Sequence, residues 1–251
     1  MLGIFDSGVG GLTVLKSLMR KNGNLDFIYL GDTARVPYGN KSKKTVIKYA
    51  CDDVNFLIKN GAKKILSACN TVSSVALDEL KKIYDIPIYG VIDPVVEAAS
   101  KITDGKVAVI GTKSTINSHI YKDKLEKLGI DVYEEATPLL VPFVEEGWLD
   151  KAITYELINI YMKPVIESGA DTLILGCTHY PLLYDGIRSA TGGRLKIVNS
   201  AEATAEFLSK RIKLGSRGNA NFFATDSIEA FKKTGEAFLG SRFNGVVEVS
   251  L

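Results

Sequence analysis

Cys69 and Cys177 stand far apart in the chain in closely similar surroundings. Each closes an apolar run, "ILSACNTVSS" from Ile65 to Ser74 and "LILGCTHYPLL" from Leu173 to Leu183, and a threonine follows within two positions. A cysteine between a strand and a helix N-terminus meets unpaired backbone N–H groups, which favour the thiolate. Asn70 and Thr71 add donors for a bound anion, and His179 puts a titratable imidazole two residues beyond Cys177. Taken alone, either cysteine reads as a small buried hydrophobe. Their pairing speaks for reactive thiols. Zinc bound by Cys-x-His needs more ligands than a chain with only two histidines, His119 and His179, readily supplies.

A third segment, "FDSGVGG" from Phe5 to Gly11, reads as a tight strand-to-helix turn made possible by Gly8, Gly10 and Gly11. As a nucleotide loop it fits poorly. Thr13 stands where G-x-G-x-x-G needs glycine, no Gly-Lys-Ser/Thr follows, and Asp6 repels phosphate. A carboxylate at a strand end near a thiol suits proton traffic or an ammonium group, and Ser7 can donate to a carboxylate. Cys51 falls on an apolar helical stripe and reads as core; His119 reads as surface.

Two thiols with ionisable neighbours leave two chemistries open. A disulfide oxidoreductase usually carries its pair as C-x-x-C. Proton transfer on both faces of one carbon fits a separated, symmetric pair better. One thiolate removes a proton, the opposite thiol returns one, and the roles exchange for the other enantiomer.

Such a pair must be held by strands and helices that face each other. "LGIFD" (2–6), "DFIYLGD" (26–32), "KILSAC" (64–69), "IPIYGVID" (86–93), "KVAVIGT" (106–112), "DVYEEA" (131–136), "TLILGC" (172–177) and "LKIVNS" (195–200) read as strands of parallel sheets buried on both faces. Helical patterns lie between them. In residues 43–61, Ile47, Cys51, Val54 and Ile58 mark a buried stripe and Gly61 stops the helix. The alternation is that of the α/β class. The strands also form two sets of four with matching landmarks: Val36-Pro37-Tyr38 against Val141-Pro142-Phe143, Cys69 against Cys177, and "VIDPVVEAA" against "VNSAEATAE". Glu145 and Glu146 take the loop in the second set that Tyr38 and Gly39 take in the first. The expected fold is two similar doubly wound parallel-sheet domains related by a pseudo-twofold axis, with the active site in the cleft between them. The expected boundaries are 1–94 plus 207–251 for the first domain and 95–206 for the second. The tail from about Ala205, with "ANFFATD", "SIEAFKKTGEAFL" and "NGVVEVSL", folds back onto the first.

The chain has 251 residues, 46% apolar and 24% charged, with a net charge of +2. Mixed charge gives no sign of a nucleic-acid or membrane partner. No apolar run is long enough to span a bilayer, the start lacks the pattern of a signal peptide, and three cysteines suit a reducing compartment, so a cytoplasmic location is expected.

The motifs "IFDSGVGGLTVL", "YLGDTARVPYG", "ACNTVSS", "GVIDP", "VPFVEEG" and "LGCTHYPLL", in order along nearly the whole chain, strongly resemble those of the glutamate racemase family. The resemblance implies cofactor-independent racemisation of glutamate, supplying D-glutamate for bacterial peptidoglycan. It implies catalytic thiols at Cys69, for the D-glutamate α-proton, and at Cys177, for that of L-glutamate. Asp6 would support Cys69, His179 would support Cys177, and Glu145 is a further acid nearby. Substrate contacts fall on Asp6, Ser7, Pro37, Tyr38, Gly39, Asn70, Thr71, Thr178 and His179. No cofactor and no metal are expected, and the partners expected are glutamate and a second copy of the chain in a homodimer. Val72 stands where alanine is more usual in the family. The chain begins at the first strand, without the extension that accompanies activation by a cell-wall nucleotide precursor, which speaks against such activation. The motifs place no arginine or lysine on the substrate carboxylates, and the directions of Arg35 and Lys41 are not legible. Aspartate racemase, a non-catalytic two-domain amino-acid-binding module and a pyridoxal-phosphate enzyme are the competing readings.

Overall fold

A computed structural model describes residues 1–215, 217–243 and 245–251. Ser216 lies outside them, as does Asn244 at the head of the segment read as "NGVVEVSL". The first half runs β1 (Leu2–Asp6), α1 (Leu12–Asn22), β2 (Phe27–Gly31), α2 (Lys43–Lys59), β3 (Lys64–Ser67), α3 (Asn70–Val75), α4 (Leu77–Ile83), β4 (Ile88–Tyr89) and α5 (Ile92–Ser100). The second runs β5 (Lys106–Gly111), α6 (Lys113–Asn117), α7 (Ile120–Glu126), β6 (Asp131–Ala136), α8 (Leu140–Glu145), α9 (Ala152–Glu167), β7 (Thr172–Gly176), α10 (Tyr184–Ala190), β8 (Lys196–Asn199) and α11 (Ser200–Arg211). The tail adds β9 (Ala220–Ala224), α12 (Ile228–Leu239) and β10 (Val246–Glu248).

The strands form two parallel sheets, ordered β10-β9-β2-β1-β3-β4 and β6-β5-β7-β8. Apart from the tail strands, each half lays its strands down in the order second, first, third, fourth. The duplication read in the sequence is therefore a duplication of topology. The tail does return to the first sheet, where β9 pairs with β2. "LGIFD", "FIYLG" and "TLILG" are buried along their whole length, as helix-covered parallel strands require.

Helices α1 and α11 pack between the halves. One apolar cluster joins Ile4, Leu15 and Leu18 of the first half to Leu173, Leu175, Ala205 and Leu208 of the second. Separate clusters cover the outer face of each sheet. The carboxyl ends of β1, β3, β5 and β7 therefore point at the same region, where open α/β sheets bind ligands.

Several local expectations need correction. The fourth strand stops at Tyr89, and Ile92 and Asp93 already belong to α5. Pro94 sits in the first turn of α5, where its missing N–H costs nothing. In α2 the fully buried stripe is Val46, Ala50, Val54 and Leu57, one position away from much of the expected one. Ile47, Cys51 and Ile58 flank it half-buried, so Cys51 borders the core instead of filling it. Glu145 does not lie in a loop: α8 runs through it, with Pro142 again in its first turn, and only Glu146 falls in the turn beyond.

Candidate active site

A cavity of about 110 Å³ opens where the strand ends meet. Cys69, Asn70, Thr71, Ser7, Pro37, Tyr38 and Gly39 line it from the first half. Cys177, Thr178, His179 and Glu145 line it from the second. The volume is several times a water's share of liquid yet well short of the usual drug-sized pocket, so it suits a small metabolite and not a nucleotide.

Cys69 caps the N-terminus of α3 and is 5% exposed. Its Sγ donates to Ser7 Oγ at 3.7 Å. The expected preference for thiolate is overturned. Burial and the negative charge of Asp6 outweigh the Val72 N–H and Ser7, and push the thiol up to about 12. Asp6 itself is 1% exposed and lies behind the cavity wall, not on it. Its Oδ2 accepts the Gly8 N–H at 3.0 Å, while Oδ1 has no partner. Burial raises its carboxyl above the ordinary range, only partly offset by the charge of His179 and by the Gly11 and Gly8 N–H groups.

Cys177 is 6% exposed, but its local setting is not the same. The chain after it makes a turn and a short 3₁₀ segment, Tyr180–Leu183, before α10 begins, so no α-helix N-terminus meets this sulfur. An imidazole takes that place. His179 Nδ1 lies 3.7 Å from Cys177 Sγ, and Nε2 lies 3.1 Å from Glu145 Oε1. Burial disfavours the imidazolium, but the bonds to Cys177 and Glu145 prevail and hold His179 up to about 10. With the proton held there, both ring nitrogens can donate, one toward Cys177 and one toward Glu145.

Two glycines of "FDSGVGG", Gly10 and Gly11, serve this site by their lack of a side chain. The segment does make the short strand-to-helix turn expected, between Asp6 and Leu12, but without positive φ at Gly8, Gly10 or Gly11. A Cβ on Gly10 would lie 2.6–2.7 Å from the His179 ring, and one on Gly11 would lie 2.6 Å from Asp6 Cβ. The ring of Phe238, from α12, closes edge-on over His179 at 5.3 Å between centroids.

Several functional neighbours were not foreseen. Thr112 and Lys113 line the cavity just after β5, which is the second-half counterpart of β1. Their strand-end position was the signal available. Lys113 is the lysine or arginine on the wall; Lys41 is not on it. Arg35 turns away to Asp32 (2.5 Å), Asp52 (2.7 Å) and Asp53 (3.1 Å). The buried hydroxyl of Tyr38 joins that network, donating to Asp32 and to Asp53, and so is not free for a ligand. Glu146 is exposed and off the wall, and His119 is an exposed partner of Glu134 at 2.6 Å. Among the described residues, no group of three or more His, Cys, Asp or Glu is placed to hold a metal, and no helix is long and apolar enough to cross a membrane.

Comparison with known proteins gives consistent relatives. Residues 27–208 match the family model for Asp/Glu/Hydantoin racemase. A glutamate racemase of Persephonella marina is 47% identical over 243 residues, covering 96% of this chain and 93% of that protein. A crystal structure of a glutamate racemase isoform from Bacillus anthracis superposes with a TM-score of 0.94 at 37% identity, over 100% of this chain and 97% of that one. A glutamate racemase from Francisella tularensis, solved with D-glutamate, gives a TM-score of 0.91 at 34% identity, over 99% and 97% of the two chains.

Proposed function

Because the chain belongs to the Asp/Glu/Hydantoin racemase family, we infer that it interconverts L- and D-glutamate, and that it does so with its own two thiols. The observation that carries this reading is the placement of two buried cysteines, one from each half, on the wall of one small cavity.

In the L-to-D direction Cys177 acts as base. Its sulfur accepts the imidazolium N–H of His179 at rest and takes the α-proton of L-glutamate, which leaves an enolate-like carbanion. Cys69, held as a thiol, protonates the opposite face of that carbon and becomes thiolate. D-glutamate leaves, and proton exchange resets the pair. The reverse direction starts from the Cys69 thiolate. Burial and Asp6 disfavour that thiolate; the ammonium group of a bound amino acid supplies a compensating positive charge. Asp6 is a positioning and tuning residue for Cys69, and Glu145 fixes and charges His179.

Ser7, Asn70, Thr71 and Thr178 bind the substrate with hydroxyl and amide groups, and the Pro37–Gly39 segment shapes the wall. Lys113 at the rim adds a cation facing the carboxylates. The domains are residues 1–94 plus 207–251 and residues 95–206, with α5 and α11 crossing from one to the other. The chain works as a homodimer in the cytoplasm, where its D-glutamate feeds peptidoglycan synthesis.

The test is circular dichroism of L-glutamate, and separately of L-aspartate, with purified protein after exhaustive dialysis and chelation. Loss of the glutamate signal to a racemic baseline is expected, with aspartate far slower. Activity restored only by an added cofactor, or faster turnover of aspartate, overturns the reading.

A further inference from the structure

Asn70 is buried on the cavity wall, and its two amide atoms are treated differently. Oδ1 accepts a hydrogen bond from Tyr121 Oη at 2.7 Å, while Nδ2 has no partner. Tyr121 belongs to α7 in the second half and is fully buried, whereas Asn70 opens α3 in the first. The bond therefore crosses between the halves.

We propose that Tyr121 is a positioning residue for substrate: it fixes the amide of Asn70 so that Nδ2 is presented to a carboxylate of the bound amino acid. The inference rests on the racemase reading and adds to it a residue outside the cavity wall. A buried N–H without an acceptor is costly, and a site built to receive an acceptor there recovers that cost on binding. The flipped amide could donate Nδ2–H to the phenol oxygen, but at a greater cost elsewhere. It leaves Oδ1 without a donor, leaves the phenol proton without an acceptor, and turns a carbonyl oxygen toward an anionic ligand. Burial holds Tyr121 well above the ordinary phenol range, so it stays a donor at any working pH.

The placement also ties the amide to the seam between the halves. Beside this bond, Thr71 Oγ1 and Thr112 Oγ1 lie 3.0 Å apart across the same seam, and Ser114 Oγ donates to the Lys41 carbonyl at 3.4 Å. The amide is oriented only when α7 is docked against α3. A separated pair of halves loses the correctly turned donor together with the bond that turned it.

The experiment is a double-mutant cycle on binding. D-glutamate affinity is measured by calorimetry in a Cys69→Ser/Cys177→Ser background, which holds the ligand without turnover. The expected result is a loss of about tenfold in affinity for Tyr121→Phe, one hydrogen bond's worth. A similar or larger loss is expected for Asn70→Ala, and no further loss when the two are combined. In the active enzyme Tyr121→Phe raises KM for both enantiomers and changes kcat little. Unchanged affinity in Tyr121→Phe, or losses that add in the double variant, overturns the proposal. A second measurement uses the native tyrosine and does not depend on folding of the variant. In protein labelled with ¹⁵N-asparagine, the side-chain pair missing from Asn70→Ala is the Asn70 amide. It should shift as D-glutamate is added, and an unmoved pair counts against the proposal. Failure of the unmodified background to bind glutamate at all overturns the racemase reading instead, so the two failures are distinguishable.

Discussion

Cys69 and Cys177 occupy equivalent positions in a repeated topology and are buried alike, yet the groups around them carry opposite charge. Cys69 has a helix N-terminus, a hydroxyl at 3.7 Å and the carboxyl of Asp6 behind it. Cys177 has no α-helix N-terminus but faces the His179 imidazole at 3.7 Å, backed by Glu145. The first environment keeps a proton on sulfur, and the second supplies a cation to it. A pair of thiols that hand a proton across one carbon needs an acid and a base at the same moment. Duplication alone supplies two of the same thing. The divergence of the neighbours after duplication is what makes the halves complementary.

The comparison breaks most completely if either thiol is dispensable. Cys69→Ser and Cys177→Ser should each lower racemisation by at least about 10³-fold while leaving the fold intact, because a serine hydroxyl is too weak an acid for this exchange. Substantial activity in either variant, measured by circular dichroism, contradicts a two-thiol mechanism. Damage confined to the Cys177 side is the next largest effect. Gly10→Ala puts a methyl into the His179 ring and should cost about 10²-fold in kcat/KM. Gly8→Ala, where the nearest atom is 3.4 Å away, should stay near the parent protein. Equal losses in the two variants would mean that the loop, and not the imidazole, matters.

The opposite charges predict opposite responses. Asp6→Asn removes a negative charge near Cys69, so its thiolate fraction rises and iodoacetamide labels it up to about tenfold faster at a given pH. His179→Asn removes the cation beside Cys177, whose labelling slows by a similar factor. Mass spectrometry of the two peptides reads both, and changes of the same sign at both sulfurs refute the contrast. Because the enantiomers are equally stable, kcat/KM must change equally in both directions. The asymmetry shows in the primary isotope effect with α-deuterated substrate, raised for D-glutamate in Asp6→Asn and for L-glutamate in His179→Asn.

Stability against pH gives a smaller effect with a definite sign. The folded chain holds the His179 proton up to about 10, whereas an unfolded imidazole releases it near 6.5. That stabilisation is complete below 6.5 and is lost as pH rises through about 10. Cys69, raised from 9.0 to about 12, loses its contribution in the same sense but in the higher window. Melting temperature should therefore fall less between pH 6.5 and 9 in His179→Asn than in the parent, whereas Cys69→Ser should follow the parent there and depart from it only above pH 9. A parallel decline in all three proteins removes the basis for the assignment. The smallest effect is expected at Cys51, which flanks the core: Cys51→Ala should stay fully active and lose about 1 kcal/mol or less. An inactive but folded Cys51→Ala protein would give this third thiol a role that the contrast between Cys69 and Cys177 leaves no room for.

The sequence by itself determined the class of the fold, the duplication and the two cysteines that line the cavity. Those follow from local chemistry: apolar runs of strand length, helix periodicity, and cysteines at strand ends in matching contexts. It also carried His179, because a residue two positions from a thiol is near it in any conformation. What it did not determine depends on contacts between segments distant in the chain. The charge at each sulfur is one case, since Asp6 and Glu145 reach the thiols only through the packing of β1 and α8. The withdrawal of Asp6 behind the wall is another, as are the diversion of Arg35 into three carboxylates and the appearance of Lys113 at the rim. The use of Gly10 was hidden for the same reason. Its lack of a Cβ matters because Thr178 Oγ1 and the His179 ring, from the other half, occupy that space. A linear pattern records which groups are present at each strand end. Only the tertiary structure decides which of them meet, how deeply each is buried, and therefore which charges surround each of two equivalent cysteines.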